Sequence, residues 1–187
     1  MKYSDYINKY NSVLENLVVS NKNENIDTQT GLSQIIDLLN EVDEDATIYM
    51  IGNGGSSGIV SHSMVDFINA CKKNARAITD NSLLTCMAND YGYENVFKQP
   101  FATMIRKKDA VIAISSSGNS ENIVSAAKFA SDKGCKVITF SGFKSENKLR
   151  KEGELNIWLE SDSYGYVEIG HAIILHYITD SLSGMIK

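Results

Sequence analysis

Short, nearly continuous apolar runs alternate along this chain with segments whose apolar residues recur every three or four positions. The runs "ATIYMIG" (46–52), "ARAIT" (75–79), "AVIAIS" (110–115), "KVITFSG" (136–142) and, more weakly, "LNIWLE" (155–160) have the length and composition of strands buried on both faces. Helical periodicity fills the intervals: 56–72, 82–106 in pieces, 119–133, a short piece at 146–152, and a closing helix from about 165 to 186. This alternation predicts an α/β fold, a three-layer sandwich with a central five-stranded parallel sheet flanked by helices.

Upstream of the first run, Tyr3, Tyr6, Ile7, Tyr10, Val13, Leu14 and Leu17 form a helical stripe. The polar segment "SNKNENIDTQT" (20–30) reads as a linker to a second helix near 31–40, with Thr28 or Thr30 as its cap. The expected organisation is one domain over 1–187 with an N-terminal helical extension of about 1–44. The single proline, Pro100, falls inside a helical pattern and is expected to start or break a helix.

Composition narrows the classes. With 187 residues, 43% hydrophobic and 22% charged, the chain suits one globular domain. A net charge of −5 argues against nucleic acid, whose backbone selects basic surfaces, but leaves a small anion open, because backbone N–H groups bind phosphate without net positive charge. Cys71, Cys86 and Cys135 are odd in number and widely spaced, as reduced thiols of a cytoplasmic protein are. Neither a signal-peptide core nor a membrane-length apolar run is present, so a soluble protein without membrane partners is expected.

Two loops at the carboxyl ends of predicted strands carry the chemistry, the place where ligands gather on open parallel sheets. In "SSSGNS" (115–120), clustered hydroxyls, a glycine and the start of a helix make a phosphate cradle. Any one of Ser117, Asn119 or Ser120 could instead be a helix cap; four serines in six residues favour phosphate. "IGNGGSSG" (51–58) lacks the Lys-Ser/Thr ending of a nucleotide P-loop and, taken alone, says only that backbone approaches something closely.

With both loops in view, the chain resembles sugar isomerase (SIS) domains, and among them the phosphoheptose isomerases, which interconvert sedoheptulose 7-phosphate and an aldoheptose phosphate. "GNGGSS" (52–57) with His62 downstream, "ANDYGYENVF" (88–97), "ISSSGNSENI" (114–123) and "VEIGHAIILH" (167–176) carry the resemblance. It implies that Ser115, Ser116, Ser117 and Ser120 bind the sugar phosphate with help from Asn53, Gly54 and Ser56, that Asp90 touches the sugar, and that the protein is a homotetramer. It further implies acid/base catalysis and a zinc or other divalent metal site at His62, Asp66, Glu168 and His176, no organic cofactor, and a role in bacterial surface-polysaccharide synthesis. The chain departs from the family pattern at four residues, with Asp66 for Glu, Glu168 for Gln, Ala70 for Arg and Gly165 for Asp, and in a shorter segment between the two central motifs.

On their own spacing, His62 and Asp66 share a helix face, and Glu168 and His176 are about two turns apart on another, so both pairs are expected to face one pocket. Such a set can share a proton or a metal. The expected reaction is aldose–ketose isomerisation through an enediol, with Asp66 as base, His176 as its acid partner and Glu168 as the alternative base. His171 is expected to be packing. The competing reading is a non-catalytic sugar-phosphate-binding or protein-interaction protein of the same superfamily.

Overall fold

The computed structural model describes residues 1–186, and strand parity explains its three layers. Strand β3 (Ile48–Gly52) and strand β5 (Ala110–Ser115) are buried along their whole length. Ile48, Met50, Ala110, Ile112 and Ile114 point to one face and join Ile35, Val60, Phe67, Ile174 and Ile178. Tyr49, Ile51, Val111 and Ala113 point to the other and join Phe97, Phe101, Ile123 and Ala126. Alternate residues of one strand thus feed two cores, as a period of two requires. One core holds helices α2 (Thr28–Asn40), α3 (Gly54–Asn69) and α7 (Tyr164–Ser183); the other holds α5 (Lys98–Met104) and α6 (Glu121–Asp132).

The expected five parallel strands form, with β4 (Ala75–Ala77), β6 (Lys136–Ser141) and β7 (Leu155–Trp158) completing the set. The sheet is larger and mixed, however: β1 (Val18–Ser20) and β2 (Asn25–Ile26) extend it to seven strands in the order β2-β1-β7-β6-β5-β3-β4. β1 runs antiparallel to β7, with Val19 opposite Ile157. The N-terminal segment therefore contributes sheet as well as its helices, α1 (Tyr3–Glu15) and α2. Strands of three and two residues in a polar stretch have no readable alternation; they are fixed from a distance, as when the buried Asn156 Nδ2 donates to the Ser20 carbonyl at 3.2 Å.

Local chemistry sets the ends. Asp27, rather than Thr28 or Thr30, caps α2, its carboxylate accepting from the Thr30 amide at 3.0 Å. Pro100 sits in the first turn of α5, where no intrahelical N–H is required. The expected piece at 146–152 is a short 3-10 turn, Lys148–Lys151. Helix α4 (Asn81–Tyr91) completes the region after β4. Among the described residues no helix is long and apolar enough to cross a membrane.

The connections define where a ligand fits. β3 and β5 are neighbours in the sheet, yet the chain leaving β3 enters α3 on one face while the chain leaving β5 enters α6 on the other. Loops that part in this way open a crevice at the carboxyl edge.

Candidate active site

That crevice holds the serine loop. A cavity of about 230 Å³ is lined by Asn53, Gly54, Gly55 and Ser56 from the start of α3, and by Ser115, Ser116, Ser117 and Ser120 before α6. Tyr164 and Glu168 of α7 close its side. Two helix N-termini thus deliver unpaired N–H groups and favourable dipoles to one space.

The hydroxyls are only partly used by the protein. Ser115 Oγ donates to Ser120 Oγ at 3.1 Å, and Ser117 Oγ accepts from the Asn119 amide at 3.2 Å. Ser120 occupies the N-cap position of α6 but makes no side-chain cap bond. Ser116 is 5% exposed and its Oγ has no protein partner. A buried hydroxyl left unsatisfied costs free energy unless a ligand or water meets it.

The loop is braced from outside. The Ser116 carbonyl accepts from Gly142 N at 2.9 Å, and the Gly118 carbonyl from Leu149 N at 2.9 Å. Gly118 has φ 65°, and the buried Asn147 side chain lies where a Cβ would stand. Asn147 Nδ2 donates to Ser141 Oγ at 3.1 Å and to the Lys144 carbonyl at 2.8 Å. On the α3 side, Asn53 and Asn122 exchange amide hydrogen bonds at 2.9 Å each way, and the Tyr93 hydroxyl donates to Asn53 Oδ1 at 3.1 Å.

Farther along the seam between α3 and α7 lies a second cavity of about 250 Å³, lined by Gly55, Gly58, Ile59, His62, Ser63, Ala172 and His176. Gly55 is common to both cavities. Here Asp66 Oδ2 lies 3.6 Å from His62 Nε2 and 3.5 Å from His176 Nδ1. The two imidazole rings are 5.0 Å apart, edge to face. Ligand atoms of these three residues lie within 4.8 Å of one another, a two-imidazole, one-carboxylate set that fits zinc or a similar divalent ion.

Of the expected positions, the structure gathers the serines, Asn53, Gly54 and Ser56 at the first cavity, and His62 and His176 at the second, with Asp66 against both imidazoles. Glu168 does not join the three metal-type ligands; its carboxylate packs against Gly55 and lines the serine cavity. The reason is axial distance: eight residues share a face but are about 12 Å apart along a helix. Asp90 lines neither cavity; it accepts hydrogen bonds from Asn89 Nδ2 and Cys86 Sγ on α4. His171 is packing, as expected: fully buried, hydrogen-bonded to the Ser141 carbonyl at 3.1 Å, with burial lowering its pKa to about 4.

Asn122, Tyr93, Tyr164 and Asn147 were not anticipated. Asn122 alone carried a signal, being a polar residue in register with Ala126 and Ala130 on the apolar stripe of α6.

The SIS domain family profile matches residues 5–142. Among curated relatives, a phosphoheptose isomerase of Citrifermentans bemidjiense is 32% identical over 139 residues, covering 71% of this chain and 72% of the relative. One from Helicobacter pylori strain P12 is 31% identical over 161 residues, covering 82% and 83%. The solved structure of a phosphoheptose isomerase from Neisseria gonorrhoeae superposes with a TM-score of 0.83 at 23% identity, covering 97% of this chain and 95% of that one.

Proposed function

Since this chain belongs to the SIS domain family and, within it, to the phosphoheptose isomerases, we propose that it interconverts the ketose and aldose forms of a sugar phosphate, with sedoheptulose 7-phosphate as substrate. The carrying observation is the shared wall at Gly55, which makes the serine cradle and the His62–Asp66–His176 group two ends of one track. Seven residues of helix, about 10 Å, separate Gly55 from His62. A phosphate held by Ser115, Ser116, Ser117 and Ser120 leaves the carbonyl end of an extended sugar beside the imidazoles.

Isomerisation requires a base to take the proton from the carbon next to the carbonyl and an acid to protonate the oxygen. Asp66 serves as the base and His176 as its partner. His62, Asp66 and His176 would hold a divalent ion, zinc being the best fit; when bound, it polarises substrate oxygens. Incubating the protein with sedoheptulose 7-phosphate in deuterated water should yield the aldose with deuterium at C2 and return ketose with deuterium at C1. Binding without exchange would reduce the protein to a sugar-phosphate sensor.

We also place the protein in the cytoplasm as a homotetramer, in keeping with three free cysteines and an apolar outer face. Val65 and Ile68 on α3 and Ile169 and Ile173 on α7 are all more than 40% exposed on adjoining helices. Contiguous exposed apolar residues mark an association surface. The double change Ile169→Asp and Ile173→Asp should convert the assembly to smaller species in sedimentation analysis; an unchanged mass would move the interface elsewhere.

A further inference from the structure

Arg150 lies outside the catalytic track, and among the described residues it makes no ion pair. It is half-buried, and its guanidinium stacks over the Trp158 ring with 5.2 Å between Cζ and the ring centroid. Nη1 donates to the Ser145 carbonyl at 2.9 Å, and Nη2 to Ser20 Oγ at 3.3 Å and Asn25 Oδ1 at 3.4 Å. A guanidinium carries five N–H donors, so two remain without a protein acceptor. All three acceptors in use are neutral, and among the described residues no carboxylate lies within ion-pair distance of Arg150. Burial lowers its pKa, and Glu146 across the cleft offsets this only in part.

This side chain borders a cleft of about 420 Å³ between the β1–β2 hairpin and the turn Lys148–Lys151. Lys22 and Lys151 also line it, against Glu24 and Glu146, so cations outnumber carboxylates three to two. Trp158, 9% exposed, contributes a buried Nε1 that likewise lacks a partner. Desolvating a cation without a counter-ion is unfavourable, and a planar guanidinium with free donors is suited to an oxyanion.

We propose that this cleft is a second anion site, taking the phosphoryl group of a small polar metabolite on the free donors of Arg150, separate from the serine cradle. The two sites are mechanically close, since Asn147 Oδ1 accepts from Arg150 N at 3.3 Å while the same side chain packs against Gly118.

The test uses the only tryptophan in the chain as its reporter. Inorganic phosphate is titrated at fixed ionic strength while Trp158 emission is followed, in the unaltered protein and in a Ser117→Ala/Ser120→Ala variant with the cradle disabled. A saturable emission change is expected in both. Arg150→Gln should weaken it by at least about tenfold, the scale of a hydrogen bond to a charged group. Because Arg150 also ties the hairpin down, Asn25→Asp is the companion variant: it is isosteric, retains the acceptor that Nη2 uses, and puts a carboxylate beside the guanidinium in the anion's stead. It should weaken the response at least as much. Flat emission in the unaltered protein, a response lost with the cradle serines, or a full response in Asn25→Asp overturns the proposal. None of these results depends on turnover, so failure here leaves the isomerase reading standing.

Discussion

His176→Asn is expected to lower kcat for ketose-phosphate isomerisation by about 10²- to 10⁴-fold, the usual contribution of a positioned acid/base group, while the inhibition constant of inorganic phosphate should stay within about twofold of its starting value, since losing His176 costs the cradle no hydrogen bond. The geometry separates the two effects. His176 Nδ1 is 3.5 Å from Asp66 Oδ2, whereas the cradle hydroxyls are held by bonds among Ser115, Ser117, Asn119 and Ser120. Asp66→Asn should act on kcat in the same way. Steady-state kinetics with phosphate as competitor reads both quantities. Glu168→Gln provides the contrast: Glu168 borders the cradle and not the imidazole group, so turnover is expected to survive. Should Glu168→Gln abolish turnover while Asp66→Asn spares it, the base is Glu168.

The second large effect is at Gly118. Gly118→Ala is expected to destabilise the fold by about 2–5 kcal/mol, combining a left-handed backbone penalty of about 1–2 with about 1–3 for overpacking. Its φ is 65°, and a methyl group would meet Asn147, which is 1% exposed and engaged by its own hydrogen bonds. Native stability is only about 5–15 kcal/mol, so the loss is a large share. Whatever protein remains folded should bind phosphate poorly, because the loop must shift to admit the methyl group. Gly184→Ala isolates the backbone contribution: φ is 74° and nothing lies within 4 Å of a Cβ there, so about 1–2 kcal/mol is expected. Urea midpoints of the two variants measure the difference. Equal losses would mean that Asn147 yields to the methyl group.

The parallel strands and the clustering of serines after β5 could be read from the chain because each is a local pattern. β5 begins and ends where its apolar run does, at Ala110 and Ser115, since Asp109 before it and the serines at its end bound the run sharply. The same locality hides the edge strands: Val18–Ser20 and Asn25–Ile26 become strands only when β7 offers them partners. Helical spacing placed Asp66 beside His62 correctly, yet the approach of His176 depended on how α7 crosses α3. The same spacing put Glu168 on the face of His176 without accounting for the rise between them. Asn147 was beyond reach from sequence, for its task is defined by Gly118, far away along the chain.

The outermost strands, Asn25–Ile26 at one end of the sheet and Ala75–Ala77 at the other, have a consequence of their own. Two or three residues offer too few free backbone groups to template another chain, a common safeguard against edge-to-edge aggregation. A crowded solution of this protein therefore lacks the long open margin from which cross-β growth starts.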